Sequence, residues 1–229
     1  MDRLAVSGAS GKTGWRIVEE ALQRGQSVRA LVRPDSILPP ALNQAELDGR
    51  LEVYRIDLGS LETLMHALKG CTALIIATGA RPSINLLGPL QVDAFGVQSQ
   101  LHACASVGLR RVVLVSSLCA GRWLHPLNLF GLILVWKRVG EMGLERSGLN
   151  WTVVRPGGLS EDDSRAEREG VLFTSADQQQ SNSIPRRLVA RVCLDVLQHP
   201  ETFGRILEIT SSPSRPMQTV GEWLTEGTR

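Results

Sequence analysis

Three glycines near the amino terminus are spaced as in loops that bind a phosphate group. The segment Gly8-Ala9-Ser10-Gly11-Lys12-Thr13-Gly14 directly follows a short apolar run and opens a stretch with helical spacing. Glycines let the backbone approach a ligand closely, and the free N–H groups at the start of a helix carry a partial positive charge. We therefore predict a pyrophosphate-binding loop rather than a glycine turn without a ligand. The residues expected to contact the ligand are Gly8, Ser10, Gly11, Lys12, Thr13 and Gly14.

An arginine after the second apolar run indicates which dinucleotide is bound. Proteins that bind NAD place an acidic residue there to hold the ribose 2′-hydroxyl, whereas this chain has Arg33. A guanidinium pairs with a 2′-phosphate and stacks on adenine, and Lys12 would add a second charge beside the adenosine ribose. NADP is therefore favoured over NAD. The alternatives are a solvated Arg33, or an acidic role for Asp35 if the strand ends later.

Two further segments follow predicted strands and would contact the same ligand. Asp57 would accept a hydrogen bond from the adenine amino group while Leu58 packs on the ring; the alternative for Asp57 is to cap the next helix. Ala77, Thr78 and Gly79 are small residues that let the chain run along the dinucleotide, although they also suit a simple turn.

The elements that must position these residues alternate between strand and helix. Strands are predicted at 4–6, 27–32, 51–56, 73–77, 111–116 and 151–154, and helices at 14–23, 61–68, 90–107 and 127–147. This alternation predicts an α/β fold, a doubly wound parallel sheet of the Rossmann type. After Arg155 the rhythm weakens to a charged loop at 161–169, a helix at 184–197, a strand at 205–209 and a short helix at 220–224. We expect one domain over 1–229, in which about 156–229 forms a small C-terminal appendage on the substrate side.

Composition and charge exclude several classes of protein. The chain has 229 residues, is 43% hydrophobic and 21% charged, and has a net charge of +2, so it is globular and is not predicted to bind nucleic acid. The four cysteines have no paired spacing, which argues against a zinc site or a disulfide framework. We expect no metal, reduced thiols, no signal peptide and a cytoplasmic or stroma-like location.

Several motifs together resemble the atypical short-chain dehydrogenase/reductase family. They are the glycine loop, Arg33, Asp57-Leu58, the strand Val112-Val113-Leu114-Val115-Ser116-Ser117, Lys137, Ser147-Gly148-Leu149, and the hexapeptide Val154-Arg155-Pro156-Gly157-Gly158-Leu159. The segment 125–130 with Trp136-Lys137-Arg138 resembles the branch that contains the NADP-binding redox component of the chloroplast Tic machinery and its cyanobacterial relatives.

The resemblance implies an NADP-binding cleft at the carboxyl ends of the strands. It places Ser116 and Ser117 beside the nicotinamide and lets Lys137 hydrogen-bond to the nicotinamide ribose. It implies that residues 183–186 help to roof the site. It also implies that five consecutive residues pass beside the nicotinamide: Arg155, Pro156, Gly157, Gly158 and Leu159.

One departure from the family pattern bears on catalysis. Many members place a tyrosine four residues before the lysine as the proton donor, but this chain has Ile133 there, and its one tyrosine is Tyr54. Loss of such an acid costs about 10²–10⁴-fold in rate, so flavin-, bilin- or quinone-like acceptors that take a proton from solvent are favoured over carbonyls. The catalytic candidates are Ser116, Ser117 and Lys137, and His125 is either a replacement acid or a capping residue.

The second hypothesis is a non-catalytic NADP-dependent redox sensor, scaffold or assembly factor for a photosynthetic or membrane-associated complex. The segment Leu127–Trp136 is apolar around the whole predicted helix, which is unusual for a helix on the surface. It is either a buried covering helix or a surface for a partner protein or a membrane. It is about half of the ~20 residues that are needed to span a bilayer.

Overall fold

An eight-stranded sheet, parallel except at one edge, organises the structure. The computed structural model describes residues 3–79, 87–122, 124–129, 131–179 and 182–226. Residues 80–86 and 130, which fall within predicted segments, lie outside the described residues, as does the side chain of Leu127. The sheet order is β3-β2-β1-β4-β5-β6-β10-β8; its first seven strands are parallel and β8 is antiparallel to β10. The predicted doubly wound sheet is thereby confirmed.

The strands and helices have the following bounds. The strands are β1 (Arg3–Ser7), β2 (Ser27–Val32), β3 (Leu51–Arg55), β4 (Ala73–Ile76), β5 (Arg111–Val115), β6 (Asn150–Pro156), β7 (Gly158–Ser160), β8 (Gly170–Thr174), β9 (Ser183–Pro185) and β10 (Arg205–Ser212). The helices are α1 (Gly14–Gln23), α2 (Asn43–Leu47), α3 (Leu61–Leu68), α4 (Gly96–Val107), α5 (Ile133–Glu145), α6 (Arg186–Asp195) and α7 (Val220–Glu226). A π-helical turn, Leu90–Phe95, leads directly into α4.

The apolar pattern of the central strands explains the layers. Every residue of β4 and β5 is buried, as expected for parallel strands covered on both faces. One hydrophobic cluster joins the sheet to α1 and α6 through residues such as Ile17 and Val189. A second cluster on the opposite face joins it to α3 and α4 through Leu64 and Leu101. The carboxyl ends of the strands are thus held by helices on both sides.

The helix predicted at 127–147 begins later than its apolar pattern indicated. Leu132 has a left-handed backbone with φ +56°, which is costly for a side chain other than glycine, and α5 starts only after it. Ile133, Leu134 and Val135 are all buried, so this part of the apolar run packs inward. Leu129 and Leu132 remain exposed before it. None of the described helices is long and apolar enough to cross a membrane.

The carboxyl-terminal part contains structure that the sequence did not reveal. The prediction of a loop at 161–169 is wrong in part, because Asp163–Glu167 forms a 3₁₀ helix. The strands β8 and β9 were not predicted, and β9 pairs in parallel with β7 to form a separate small sheet. β10 extends beyond its predicted end and pairs with β6, which attaches this part of the chain to the main sheet.

The four cysteines are buried. Cys71, Cys104 and Cys193 lie in the interior as free thiols, and Cys119 is buried as well. Burial raises the pKa of Cys104 to about 12 and also raises the pKa of Cys71 and Cys193. Thiols with raised pKa values in apolar surroundings are poor nucleophiles, so these three act as core residues.

A buried ion pair links the end of β6 to α5. The Nε and Nη2 atoms of Arg155 donate to the two carboxylate oxygens of Glu141 at 2.9 and 2.8 Å. Arg155 is 2% exposed and Glu141 is 0% exposed. Burial by itself would lower the pKa of Arg155, but the hydrogen bond and charge of Glu141 and the charge of Asp177 outweigh it and raise that pKa. The pair fixes the strand end that leads into Pro156.

Replacing Glu141 with alanine is expected to lower the free energy of unfolding by about 3–5 kcal/mol, because it leaves the buried Arg155 charge without its bidentate partner. Urea denaturation measures the loss. Glu145→Ala is the matched control, since Glu145 is about 30% exposed and binds Arg138 on the surface of the same helix; it should cost less than about 1 kcal/mol. Equal effects of the two substitutions would contradict a stabilising role for the buried pair.

Candidate functional site

A cleft opens where the strand order reverses between β1 and β4. Ligands of open parallel sheets bind at such a point, outside the carboxyl ends of the strands. The cleft has a volume of about 380 Å³. Its lining residues are Ser7, Gly8, Ser10, Gly11, Leu31, Val32, Arg33, Ile56, Leu58, Ala77, Thr78, Gly79, Gly88, Gln91 and Val92.

Two of the three glycines of the loop, Gly8 and Gly14, permit contacts that a side chain would not allow. Gly8 has φ +77°, and a Cβ on it would lie 2.8 Å from the carbonyl oxygen of Ala77 at the end of β4. A Cβ on Gly14 would overlap the carbonyl oxygen of Gly8. Gly11 N–H donates to that same oxygen at 2.9 Å. The loop therefore lies flat between β1 and the start of α1, as a phosphate-binding loop requires.

Buried hydroxyls at the strand ends lack partners among the described residues. The Oγ of Ser7 and the Oγ1 of Thr78 border the cleft, and the Oγ of Ser116 lies at the end of β5. Buried polar groups are ordinarily hydrogen-bonded to protein, water or ligand. A dinucleotide offers ribose hydroxyls, phosphate oxygens and a carboxamide, so the residues present fit such a group. Ser7 was missed by sequence reasoning, since it reads as the last residue of a strand.

At the adenosine end, the predicted residues separate into two groups. Arg33 and Leu58 line the cleft, whereas Asp35 and Asp57 do not. The Oδ1 of Asp57 instead accepts a hydrogen bond from Gly59 N at 2.9 Å, so its side chain caps the local turn. Asp57 thus has the capping role that was its alternative. Leu58 lines the cleft, and its contact with the adenine ring stays a prediction.

The ammonium of Lys12 pairs with Glu161, which follows β7. Both side chains are exposed, and Lys12 does not line the cleft. The expectation that Lys12 adds a charge beside the adenosine ribose stays a prediction. The pairing with Glu161 was not predicted, because the two residues are far apart in the sequence.

Two arginines, Arg16 on α1 and Arg186 in the carboxyl-terminal part, donate hydrogen bonds to the glycine loop. Arg186 Nη1 donates to Thr13 Oγ1 at 2.8 Å. Arg16 Nη1 donates to the carbonyl oxygen of Lys12 at 2.7 Å, and its Nε pairs with Asp163 at 2.7 Å. The predicted roof segment thus contacts the loop through Arg186, whereas Arg16 and Asp163 were not predicted.

None of the three catalytic candidates lines the cleft, although Lys137 lies beside Gly79, which does. Ser116 is buried, and Ser117 Oγ donates to the carbonyl oxygen of Leu118 at 3.1 Å. Lys137 Nζ donates to Asp93 Oδ1 at 2.9 Å. A Cβ on Gly79 would lie 3.6 Å from Lys137 Nζ, so the ammonium reaches the residue that borders the cleft. Asp93 was missed, although an acid among the apolar residues of a helical segment is a signal that could have found it.

The hexapeptide 154–159 spans the end of β6 and the start of β7. The guanidinium of Arg155 is bound by Glu141 in the interior, and the expectation that residue 155 passes beside the nicotinamide stays a prediction. A Cβ on Gly157 would lie 2.8 Å from Thr210 Cγ2, which explains glycine there. Pro156 ends β6, Gly158 begins β7, and Leu159 is 38% exposed. Because β7 pairs with β9, residues 158–160 lie directly beside the roof segment.

Comparison with known proteins agrees with this geometry. The sequence profile of an NAD(P)H-binding family matches residues 8–200, and the chain belongs to this family of NAD(P)-binding Rossmann proteins. An uncharacterised chloroplast protein of Arabidopsis thaliana is 36% identical over 228 residues, covering 95% of this chain and 79% of that protein. Protein TIC 62 of pea is 29% identical, covering 96% of this chain but only 45% of the relative. Sanguinarine reductase of Eschscholzia californica is 28% identical, covering 91% of this chain and 88% of the enzyme.

Solved structures share the fold. A candidate NAD-dependent epimerase/dehydratase from Bacillus halodurans superposes with a TM-score of 0.80 at 25% identity, covering 99% of this chain and 100% of that structure. A short-chain dehydrogenase/reductase from Veillonella parvula in complex with NADP has a TM-score of 0.73 at 17% identity, covering 93% and 95%. The chain is thus an oxidoreductase-like NAD(P)-binding protein.

Replacing Gly14 with alanine is expected to weaken NADPH binding at least about tenfold, because the new Cβ overlaps the Gly8 carbonyl and forces the loop apart. Isothermal titration calorimetry measures the affinity. Gly59→Ala is the control, since a Cβ there would make only ordinary contact with Asp57. Unchanged affinity in Gly14→Ala would show that the loop does not hold the dinucleotide.

Proposed function

We propose that the chain is an NADP(H)-dependent reductase of the atypical short-chain dehydrogenase/reductase type. The choice of NADP over NAD rests on the residue that lines the cleft at the end of β2. Arg33 lines it there, and no aspartate or glutamate among the described residues does. A guanidinium favours a 2′-phosphate, whereas an acidic side chain at this place would favour the free 2′-hydroxyl of NAD.

The residues in and beside the cleft suggest how the dinucleotide would be held. The glycine-loop N–H groups would bind the pyrophosphate, Arg33 the 2′-phosphate, and Leu58 the adenine ring. Lys137 would hold the nicotinamide ribose, and the unpartnered hydroxyl of Ser116 is available to the nicotinamide end. When bound, the cofactor supplies the hydride; the protein binds it, orients it and excludes water.

We propose that the acceptor is reduced without a proton-donating side chain of the protein. Ile133 occupies the position of the usual phenol and is buried, while Tyr54 lies on β3 against His66 and under Arg29. A flavin-, bilin- or quinone-like acceptor takes the hydride from the nicotinamide and its proton from solvent, so the reaction balances without a tyrosine. The similarity to sanguinarine reductase supports reductase activity in general, without naming the acceptor of this chain.

The second candidate is an NADP-dependent sensor or scaffold without turnover. The observation that favours it is the same buried Ile133, because a cofactor site without its proton donor binds a dinucleotide as well as a complete one. Leu129 and Leu132, exposed before α5, would then contribute to a surface for a partner or membrane. For either function we propose a reducing cytoplasmic or stroma-like compartment, which the buried free thiols of Cys71, Cys104 and Cys193 support.

Replacing Arg33 with alanine should weaken NADPH binding about 10- to 100-fold and leave NADH binding nearly unchanged, because a charged hydrogen bond to the 2′-phosphate is worth about 1.5–3 kcal/mol. Calorimetric titration with each cofactor measures the two affinities. Arg50→Ala is a control of equal charge change, since Arg50 pairs with Asp48 on the surface. An equal loss for both cofactors would contradict selection of NADP by Arg33.

Turnover separates the two functions. We expect the NADPH complex to oxidise its cofactor, followed by absorbance at 340 nm, when a flavin, a bilin or a soluble quinone is supplied. Tight binding without oxidation by any of the three would favour the sensor. Failure to bind either NADPH or NADH would overturn both functions.

A further inference from the structure

The ion pair between Asp93 and Lys137 is largely buried and lies beside Gly79, a residue that lines the cleft. Asp93 is 3% exposed and the side chain of Lys137 is 14% exposed. Taking two such charges out of water is costly unless the geometry of the pair is good. At 2.9 Å, with Asp93 fixed in a helical segment, the geometry is that of a strong charged hydrogen bond.

Two local features bring these side chains together. Asp93 lies in the π-helical turn before α4, and such wider turns occur frequently at functional sites. Gly140 is one turn beyond Lys137 on α5, and a Cβ on it would overlap the carbonyl oxygen of Asp93. Glycine at 140 therefore allows α5 to approach the π-helical turn closely enough for Lys137 to reach Asp93.

Neither member of the pair lines the cleft, but both lie next to Gly79, which does. A Cβ on Gly79 would lie 3.6 Å from Lys137 Nζ and 3.9 Å from Asp93 Oδ1. Gly79 lines the cleft, as do Gln91 and Val92, the two residues before Asp93. The ammonium is thus presented at the end of β4, on the side of the cleft that faces α5.

A lysine on its flexible four-carbon stem loses conformational entropy when it binds a ligand, unless another group already holds it. We propose that Asp93 is a positioning residue that fixes the Lys137 ammonium for contact with the bound dinucleotide. The inference rests on the proposed function, in which Lys137 holds the nicotinamide ribose. Asp93 thereby supplies a hydrogen-bond acceptor for Lys137 in a chain where Ile133 replaces the usual tyrosine.

A double-mutant cycle in NADPH affinity tests the coupling. Asp93→Asn and Lys137→Gln are each expected to weaken binding about tenfold, and the double variant should bind no more weakly than Lys137→Gln alone. Asp93→Glu should recover part of the affinity, because it keeps the charge. Losses that multiply in the double variant would overturn the proposal, because Asp93 would then act independently of Lys137.

A matched control and a second readout keep the result interpretable. Glu52→Gln removes a carboxylate that pairs with the buried Arg29 on β2; it should leave NADPH affinity unchanged, and thermal unfolding reports the stability of every variant. The chain has three lysines, so ¹³C-dimethylated protein gives few signals. In the free protein, Asp93→Asn should shift the Lys137 signal and leave those of Lys12 and Lys69 in place.

The two readouts distinguish the possible failures. If wild-type protein does not bind NADPH, the proposed function fails, and with it the role of Asp93 toward the dinucleotide; a shifted Lys137 signal would then still establish the ion pair. If NADPH binds but the Lys137 signal is unchanged in Asp93→Asn, the proposed function stands and positioning by Asp93 is overturned.

Discussion

The close approach of three backbone segments at the glycine loop is the constraint on which the rest of the site depends. The loop after β1, the start of α1 and the end of β4 meet at distances that exclude a Cβ on Gly8 or Gly14. This contact brings Ala77 and Thr78 to the edge of the cleft that Gly8, Ser10 and Gly11 also line. Without it the strand order would be preserved, but the edge would offer no concave surface for a phosphate.

Arginine side chains connect the glycine loop and α1 to the carboxyl-terminal part of the chain. All but three of the 25 lysines and arginines are arginines, and the planar guanidinium can bind a carboxylate and a carbonyl oxygen at the same time. Arg16 on α1 does so between Asp163 and the carbonyl oxygen of Lys12, and Arg187 pairs with Glu19 on α1. The carboxyl-terminal part thus supports the segment that carries the glycine loop.

Local patterns were sufficient to predict the elements that position the site. Fully apolar strands, the Ser60 cap of α3 and the left-handed Gly108 after α4 all depend on neighbours within a few residues, and the structure has them. The glycine loop was found for the same reason. The late start of α5 was missed because the left-handed Leu132 opposes the propensity of an apolar run.

Partners far apart in the sequence account for what local patterns did not reveal. The guanidinium of Arg155, a residue of the family motif, is bound by Glu141 and Glu208, which only the packed fold brings together. Lys12 likewise binds Glu161, a distant residue. The strands β8 and β9 were missed, and each pairs with a strand that is distant in the sequence, β10 and β7 respectively.

The two ends of the cleft differ in how completely the chain itself prepares them. Near the end of β2, Arg33 and the glycine loop line the cleft. Toward α5, the buried Ile133 occupies the position of the usual phenol, and the charge pair of Asp93 with Lys137 lies beside the cleft. In the function that we propose, such a site orients a dinucleotide and leaves protonation of the acceptor to solvent. A scaffold that binds the cofactor without turnover would need the same binding residues and no proton donor, so both proposed functions are compatible with one architecture.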